Sequence, residues 1–116
     1  MAHLYTYSAR ITQVTDGDTV RAAVRLGFNI SADMTFRLLG IDAPEIRGPE
    51  KPEGLRAKQA LSDRILNQDV IIKSHKDRPD KYGGRYLAEI FLSEQEGDPS
   101  INRWMIESGF AKEYSG

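Results

Sequence analysis

The 116-residue chain has no cysteine. That excludes disulfide staples, thiolate zinc sites, iron–sulfur clusters and thiol nucleophiles, and it removes any inference about redox compartment. Histidine is scarce as well: His3 and His75 are the two present, they lie far apart and belong to no ligand motif, and each reads as a surface residue. No excess of positive charge exists, because 16 Lys and Arg stand against 17 Asp and Glu for a formal net charge of -1. The overall basic surplus of many nucleic-acid-binding domains is therefore missing, and an anionic partner has to be held locally. No apolar run approaches the length of a transmembrane helix. The opening Met1-Ala2-His3-Leu4-Tyr5-Thr6 lacks the charged and apolar regions of a signal peptide, so a cytoplasmic chain or the processed form of a secreted one is expected, without a membrane partner. No Gly-rich phosphate loop of the Walker or dinucleotide type occurs, which leaves P-loop chemistry unsupported. What is present, 40% hydrophobic and 28% charged residues, suits one globular domain over residues 1–116.

The hydrophobic period changes in an orderly way along the chain, with no internal repeat. Tyr5, Tyr7, Ala9 and Ile11 alternate with polar residues and predict a strand. After Thr15-Asp16-Gly17, a second alternation puts Asp18, Val20, Ala22 and Val24 on one face and Thr19, Arg21, Ala23 and Arg25 on the other. An Asp-Gly pair between alternating runs signals a hairpin. A third strand is expected over Met34–Leu39, after a turn at Gly27-Phe28-Asn29. Ile41 to Pro52 holds three prolines and a glycine among charged residues and reads as a loop. Helical spacing then places Leu55, Ala57, Ala60, Leu61, Ile65 and Leu66 on one stripe. Val70-Ile71-Ile72 and Tyr86–Leu92 read as strands on either side of a polar loop, and Ser100 as the cap of a short final helix ended by Gly109. The predicted fold class is α+β, mainly β: a five-stranded OB-type barrel with a helix between strands 3 and 4 and a short C-terminal helix.

Asp18 is the most informative residue, because the alternation turns its carboxylate inward, where a charge must be paired, hydrogen-bonded or metal-bound. Taken alone, Asp16-Gly17-Asp18 is ordinary turn chemistry. A second acidic cluster, Asp42 and Glu45 around Pro44, follows directly on the strand that carries Arg37. Carboxylates without a nearby His or Cys favour a hard divalent cation, Ca²⁺ or Mg²⁺, over zinc. Arg37 and Arg85 add guanidinium forks suited to phosphate, and such forks beside a cation would stabilise the charge that builds on a phosphodiester under attack.

Four segments carry a resemblance: Val14-Thr15-Asp16-Gly17-Asp18-Thr19-Val20; Thr35-Phe36-Arg37-Leu38-Leu39-Gly40-Ile41-Asp42-Ala43-Pro44-Glu45; Asp80-Lys81-Tyr82-Gly83-Gly84-Arg85-Tyr86-Leu87-Ala88; and Asn102 with Gly109-Phe110-Ala111-Lys112. In this order and spacing they resemble the staphylococcal nuclease, or thermonuclease, family. The resemblance implies that Asp18 and Asp42 are carboxylate ligands of Ca²⁺, with the main-chain carbonyl of Ala43 completing the protein's share and Asp16 supporting the site from behind. It implies that Glu45 hydrogen-bonds the attacking water, that Arg37 and Arg85 bind phosphate, and that Lys81, Tyr82 and Tyr114 contact the nucleotide. The implied activity is Ca²⁺-dependent endonucleolytic cleavage of DNA and RNA, indifferent to the sugar, leaving 3′-phosphate ends, by a chain expected to be a monomer. A site that grips phosphate and stacks a base has few means of reading sequence. The alternative is a nucleic-acid-binding module on the same barrel that does not cleave.

Overall fold

The structure is a computed structural model that describes residues 5–79, 85–93 and 97–114. Three strands open it: β1 (Thr6–Asp16), β2 (Thr19–Gly27) and β3 (Ile30–Leu38). A two-residue strand β4 (Ile41–Asp42) and a 3₁₀ turn (Gly48–Glu50) lead into helix α1 (Lys51–Ile65). Then come β5 (Asp69–Pro79), β6 (Tyr86–Phe91), helix α2 (Ile101–Glu107) and the two-residue β7 (Lys112–Glu113).

The long strands close a barrel in the order β1-β2-β3-β6-β5, the OB arrangement anticipated from the alternation. β3 and β6 run parallel and the other neighbours antiparallel, with β1 against β5 as the closing pair. Strand alternation sends one set of side chains inward: Ala9 and Ile11 from β1, Val20, Ala22 and Val24 from β2, Phe36 and Leu38 from β3, Val70 and Ile72 from β5, and Ala88 and Ile90 from β6 are all buried. Burying each large aliphatic side chain contributes roughly 1.5–3 kcal/mol. The β2–β3 turn puts Phe28 and Asn29 at φ 56° and 61°, the paired left-handed geometry that matches the twist of a two-residue hairpin.

Helix α1 buries Gly54, Ala57, Leu61 and Ile65, Gly54 against the Glu45 backbone, a narrower stripe than the one read from the sequence. Leu55, expected inside, is 45% exposed. The reason is steric: small residues at 54 and 57 let the helix axis come close, which turns the neighbouring position outward. The expected loop over 41–52 is likewise partly ordered, with β4, the 3₁₀ turn and the first residues of α1 inside it. Pro52 falls in the first turn of α1, where its missing N–H removes no helical bond.

Helix α2 begins as expected, with Ser100 Oγ accepting from the Arg103 amide at 3.0 Å. Its buried Asn102 ties three backbone groups together. The side-chain amide donates to the carbonyls of Leu39 (2.9 Å) and Ala88 (3.0 Å), and its oxygen accepts from the Ile90 amide at 3.1 Å. Gly109, at φ 84°, ends the helix in a conformation that other residues adopt only at a cost. The chain then returns as β7 to pair with β4, Ile41 opposite Glu113 and Asp42 opposite Lys112. That small pairing lays the C-terminal segment against the acidic segment that follows β3.

Candidate active site

Asp18 sits in the tight turn between β1 and β2 and is 7% exposed. The preceding turn explains how it can be buried. Asp16 Oδ1 accepts the Asp18 amide at 3.0 Å, an Asx turn that orients the chain, and the Asp18 carbonyl accepts from the Leu38 amide at 2.8 Å. Gly17 lies under this turn, and a Cβ there would come within 2.7 Å of the Ala43 Cβ and 2.8 Å of the Ala57 Cβ. Three small residues thus let the turn, the acidic segment and helix α1 meet.

The Asp18 carboxylate uses both oxygens. Oδ2 accepts from the Ala43 amide at 2.9 Å and Oδ1 from the Thr19 hydroxyl at 3.2 Å. Alternation places Thr19 on the outward phase of β2, yet it is 5% exposed, because the hydroxyl turns in toward this acid. Burial and the hydrogen-bonded Asp16 carboxyl push the Asp18 carboxyl up from 3.8 to about 6, against the opposing pull of the Ala43 amide and the Arg37 guanidinium. The acid is therefore short of compensating positive charge.

Arg37 lies between the two acids. Its Nη2 is 3.6 Å from Asp18 Oδ2 and 3.6 Å from Asp42 Oδ1, with the guanidinium side chain 15% exposed. Both distances exceed hydrogen-bond length, and among the described residues the guanidinium donates to no acceptor. A largely shielded cationic fork with its donors still available is a receptor for an anion. The Tyr114 ring packs 5.2 Å from the guanidinium carbon, held there by the β4–β7 pairing and by its own amide donating to the Gly40 carbonyl at 2.9 Å. A cleft of about 260 Å³ opens alongside, between Asp42, Pro44 and Glu50 on one wall and Phe110 and Lys112 on the other.

The sequence-derived residues are thus distributed unevenly. Asp16, Asp18, Arg37, Asp42, Ala43 and Tyr114 converge through the contacts above. Ala43 meets Asp18 through its amide. Glu45 is exposed, two residues beyond Ala43, with its amide donating to Glu50 Oε1 at 3.1 Å. Helix α1 crosses directly behind it: a Cβ on Gly54 would overlap the Glu45 carbonyl. Arg85 immediately precedes β6, and the parallel register of Phe36 with Tyr86 and Arg37 with Leu87 places it one strand over from Thr35 on the outer sheet face. Lys81 and Tyr82 lie outside the described residues.

Gly54 goes unnamed in the sequence reading, where Gly17 figures only as a turn residue and Thr19 on the opposite strand face. A glycine inside a helical pattern is the signal that could have found Gly54.

The two acids that flank Arg37, Asp18 and Asp42, offer carboxylate oxygens, which suit a hard cation. Among the described residues no three carboxylate or imidazole side chains gather into one cluster. A cation held here would keep several water ligands.

A family model described as staphylococcal nuclease homologue matches residues 35–115. Among curated proteins, the chain is 30% identical to an uncharacterized protein of Methanocaldococcus jannaschii, over 93% of this chain and 59% of that one. It is 30% identical to the thermonuclease of Staphylococcus intermedius, over 88% of this chain and 56% of the relative. The thermonuclease of Staphylococcus hyicus is 27% identical, over 89% and 57%. The chain therefore spans a little under three-fifths of the length of these relatives.

Proposed function

The chain belongs to the staphylococcal nuclease family, and from that premise we propose that it is a Ca²⁺-dependent endonuclease that hydrolyses phosphodiester bonds of DNA and RNA and leaves 3′-phosphate ends. The observation that carries this reading is Arg37, whose guanidinium stands 3.6 Å from each of two carboxylates with hydrogen-bonding capacity in reserve. Asp18, Asp42 and the Ala43 carbonyl would hold the cation, with Asp16 orienting the turn behind them. When bound, the ion supplies positive charge to the phosphate and satisfies the buried carboxylate.

The chain's own residues divide the remaining work. Arg37 and Arg85 donate to the non-bridging oxygens of the scissile phosphate, where charge increases on the way to the transition state. Glu45 orients the attacking water and accepts its proton. Water oxygen bonds to phosphorus as the bond to the 5′ oxygen breaks, and that oxygen takes its proton from solvent water, while the proton on Glu45 returns to solvent for the next turnover. Tyr114 backs the Arg37 guanidinium and offers a ring face to the substrate, and Lys81 and Tyr82 contribute further phosphate and base contacts. Every contact addresses phosphate or a ring face, in keeping with cleavage indifferent to base and sugar. On this reading residues 1–116 act as one unit and as a monomer.

The test is cleavage of single-stranded DNA and of RNA with Ca²⁺ and with a chelator. Ca²⁺-dependent degradation that Glu45→Ser greatly slows is expected. Arg37→Lys keeps the charge but loses the fork, and should cost about 2.7–4 kcal/mol of transition-state stabilisation. Intact substrate after long incubation with Ca²⁺ would replace this reading with the non-cleaving nucleic-acid-binding module.

A further inference from the structure

We infer that Arg21 is a second, separate phosphate contact, which extends the anion-binding surface from Arg37 and Arg85 across the outer face of β2. The inference rests on the nuclease reading and adds to it where the polymer runs beyond the scissile bond.

Alternation in β2 buries Val20 and Ala22 and leaves Arg21 between them exposed on the outer face. The β2–β3 register sets Arg21 opposite Thr35, and Arg37 opposite Thr19. The β3–β6 register, continued one residue back from Phe36 and Tyr86, brings Arg85 beside Thr35 from the other side. Arg21, Thr35 and Arg85 therefore form one row across three strands, with Arg37 one step along the same face. Two strand spacings, about 10 Å, separate the backbones that carry Arg21 and Arg85. Two flexible cationic side chains on such a row can hold successive phosphates of one strand, and the hydroxyls of Thr12 and Thr35 flank the path.

The neighbouring cations differ in one respect. Arg25 is occupied by Asp69 Oδ1 (2.9 Å) and Ser8 Oγ (2.8 Å), and Arg10 lies 3.7 Å from the same Asp69 oxygen. Arg103 is paired with Glu107 at 3.1 Å. Arg21 has no ion pair or side-chain hydrogen bond among the described residues. Asp33, opposite Ala23 in the next row, repels a phosphate and so bounds the track on that side. With a net charge of -1, the molecule has no general attraction for polyanions, and a local row of this kind is where binding charge must come from.

The experiment is fluorescence anisotropy of a labelled single-stranded oligonucleotide in chelator, titrated across about 50–200 mM salt, with wild type, Arg21→Thr and Arg103→Gln. Threonine suits a strand position, and the α2 variant makes the same charge change away from this face. Arg21→Thr is expected to bind about tenfold more weakly and to flatten the plot of log affinity against log salt by about 0.7, the loss of one phosphate contact. Arg103→Gln should keep the wild-type slope. Equal slopes in all three proteins, or an equal loss in both variants, would overturn the assignment of Arg21 while leaving the nuclease reading intact. Absence of salt-dependent binding by the wild type would also overturn the assignment of Arg21, and the nuclease reading falls separately if Ca²⁺ brings no cleavage.

Discussion

Replacing Gly54 by alanine should destabilise this protein, although glycine-to-alanine inside a helix ordinarily does the reverse. The helical preference of alanine favours the substitution by about 1 kcal/mol. At this position, however, a Cβ would overlap the carbonyl oxygen and carbon of Glu45 and come within 2.9 Å of the Ile46 amide. These are backbone atoms, so no rotamer change relieves the overlap; either the helix or the Glu45 loop must move by about an ångström. Overpacking of this kind costs about 1–3 kcal/mol, and the moving loop also strains the bond from the Glu45 amide to Glu50. The net expectation is a loss of about 1–2 kcal/mol, a fall in melting temperature of about 4–8 °C. Urea denaturation should show a lower midpoint with an unchanged slope. Because Glu45 is displaced, cleavage should slow by about 100-fold, the cost of an ångström of misplacement. An alanine variant with a higher midpoint and undiminished activity would refute the claim that helix α1 sets the position of this loop.

Other expectations follow from the same geometry. Asp18 holds its proton more tightly in the fold, at about 6, than in the unfolded chain, at 3.8. Its contribution to stability is therefore fullest below the unfolded value and is lost as pH rises through about 6, by up to about 3 kcal/mol; melts of wild type and Asp18→Asn in chelator across this window check it, the variant lacking that part of the decline. Asn102→Ala orphans the Leu39 carbonyl and the Ile90 amide while the Ala88 carbonyl keeps the Leu39 amide as donor, and a stability loss of about 2–4 kcal/mol is expected by chemical denaturation. In Ca²⁺ at neutral pH, wild type should melt at higher temperature than in chelator, and Asp18→Asn should lose most of that difference.

The sequence by itself determined the barrel and its strand count, because a period of two and a period of 3.6 are written directly into the apolar positions. It also marked Asp18, since an acid in the inward phase of a strand demands compensation wherever the strand is placed. The acidic cluster of Asp42 and Glu45 and the forks of Arg37 and Arg85 were legible too, and the resemblance implied their roles, but composition and spacing place no side chain beside another. Only the tertiary structure decided that Arg37 stands between Asp18 and Asp42, because β2–β3 register and the turn of the acidic segment meet there. It also decided that Thr19 turns inward, that Leu55 faces water and that Gly17, Ala43 and Ala57 form one contact. Each of these depends on how closely a helix and a loop approach the barrel. That distance is set by atoms far apart in the chain, and local periodicity carries no record of it.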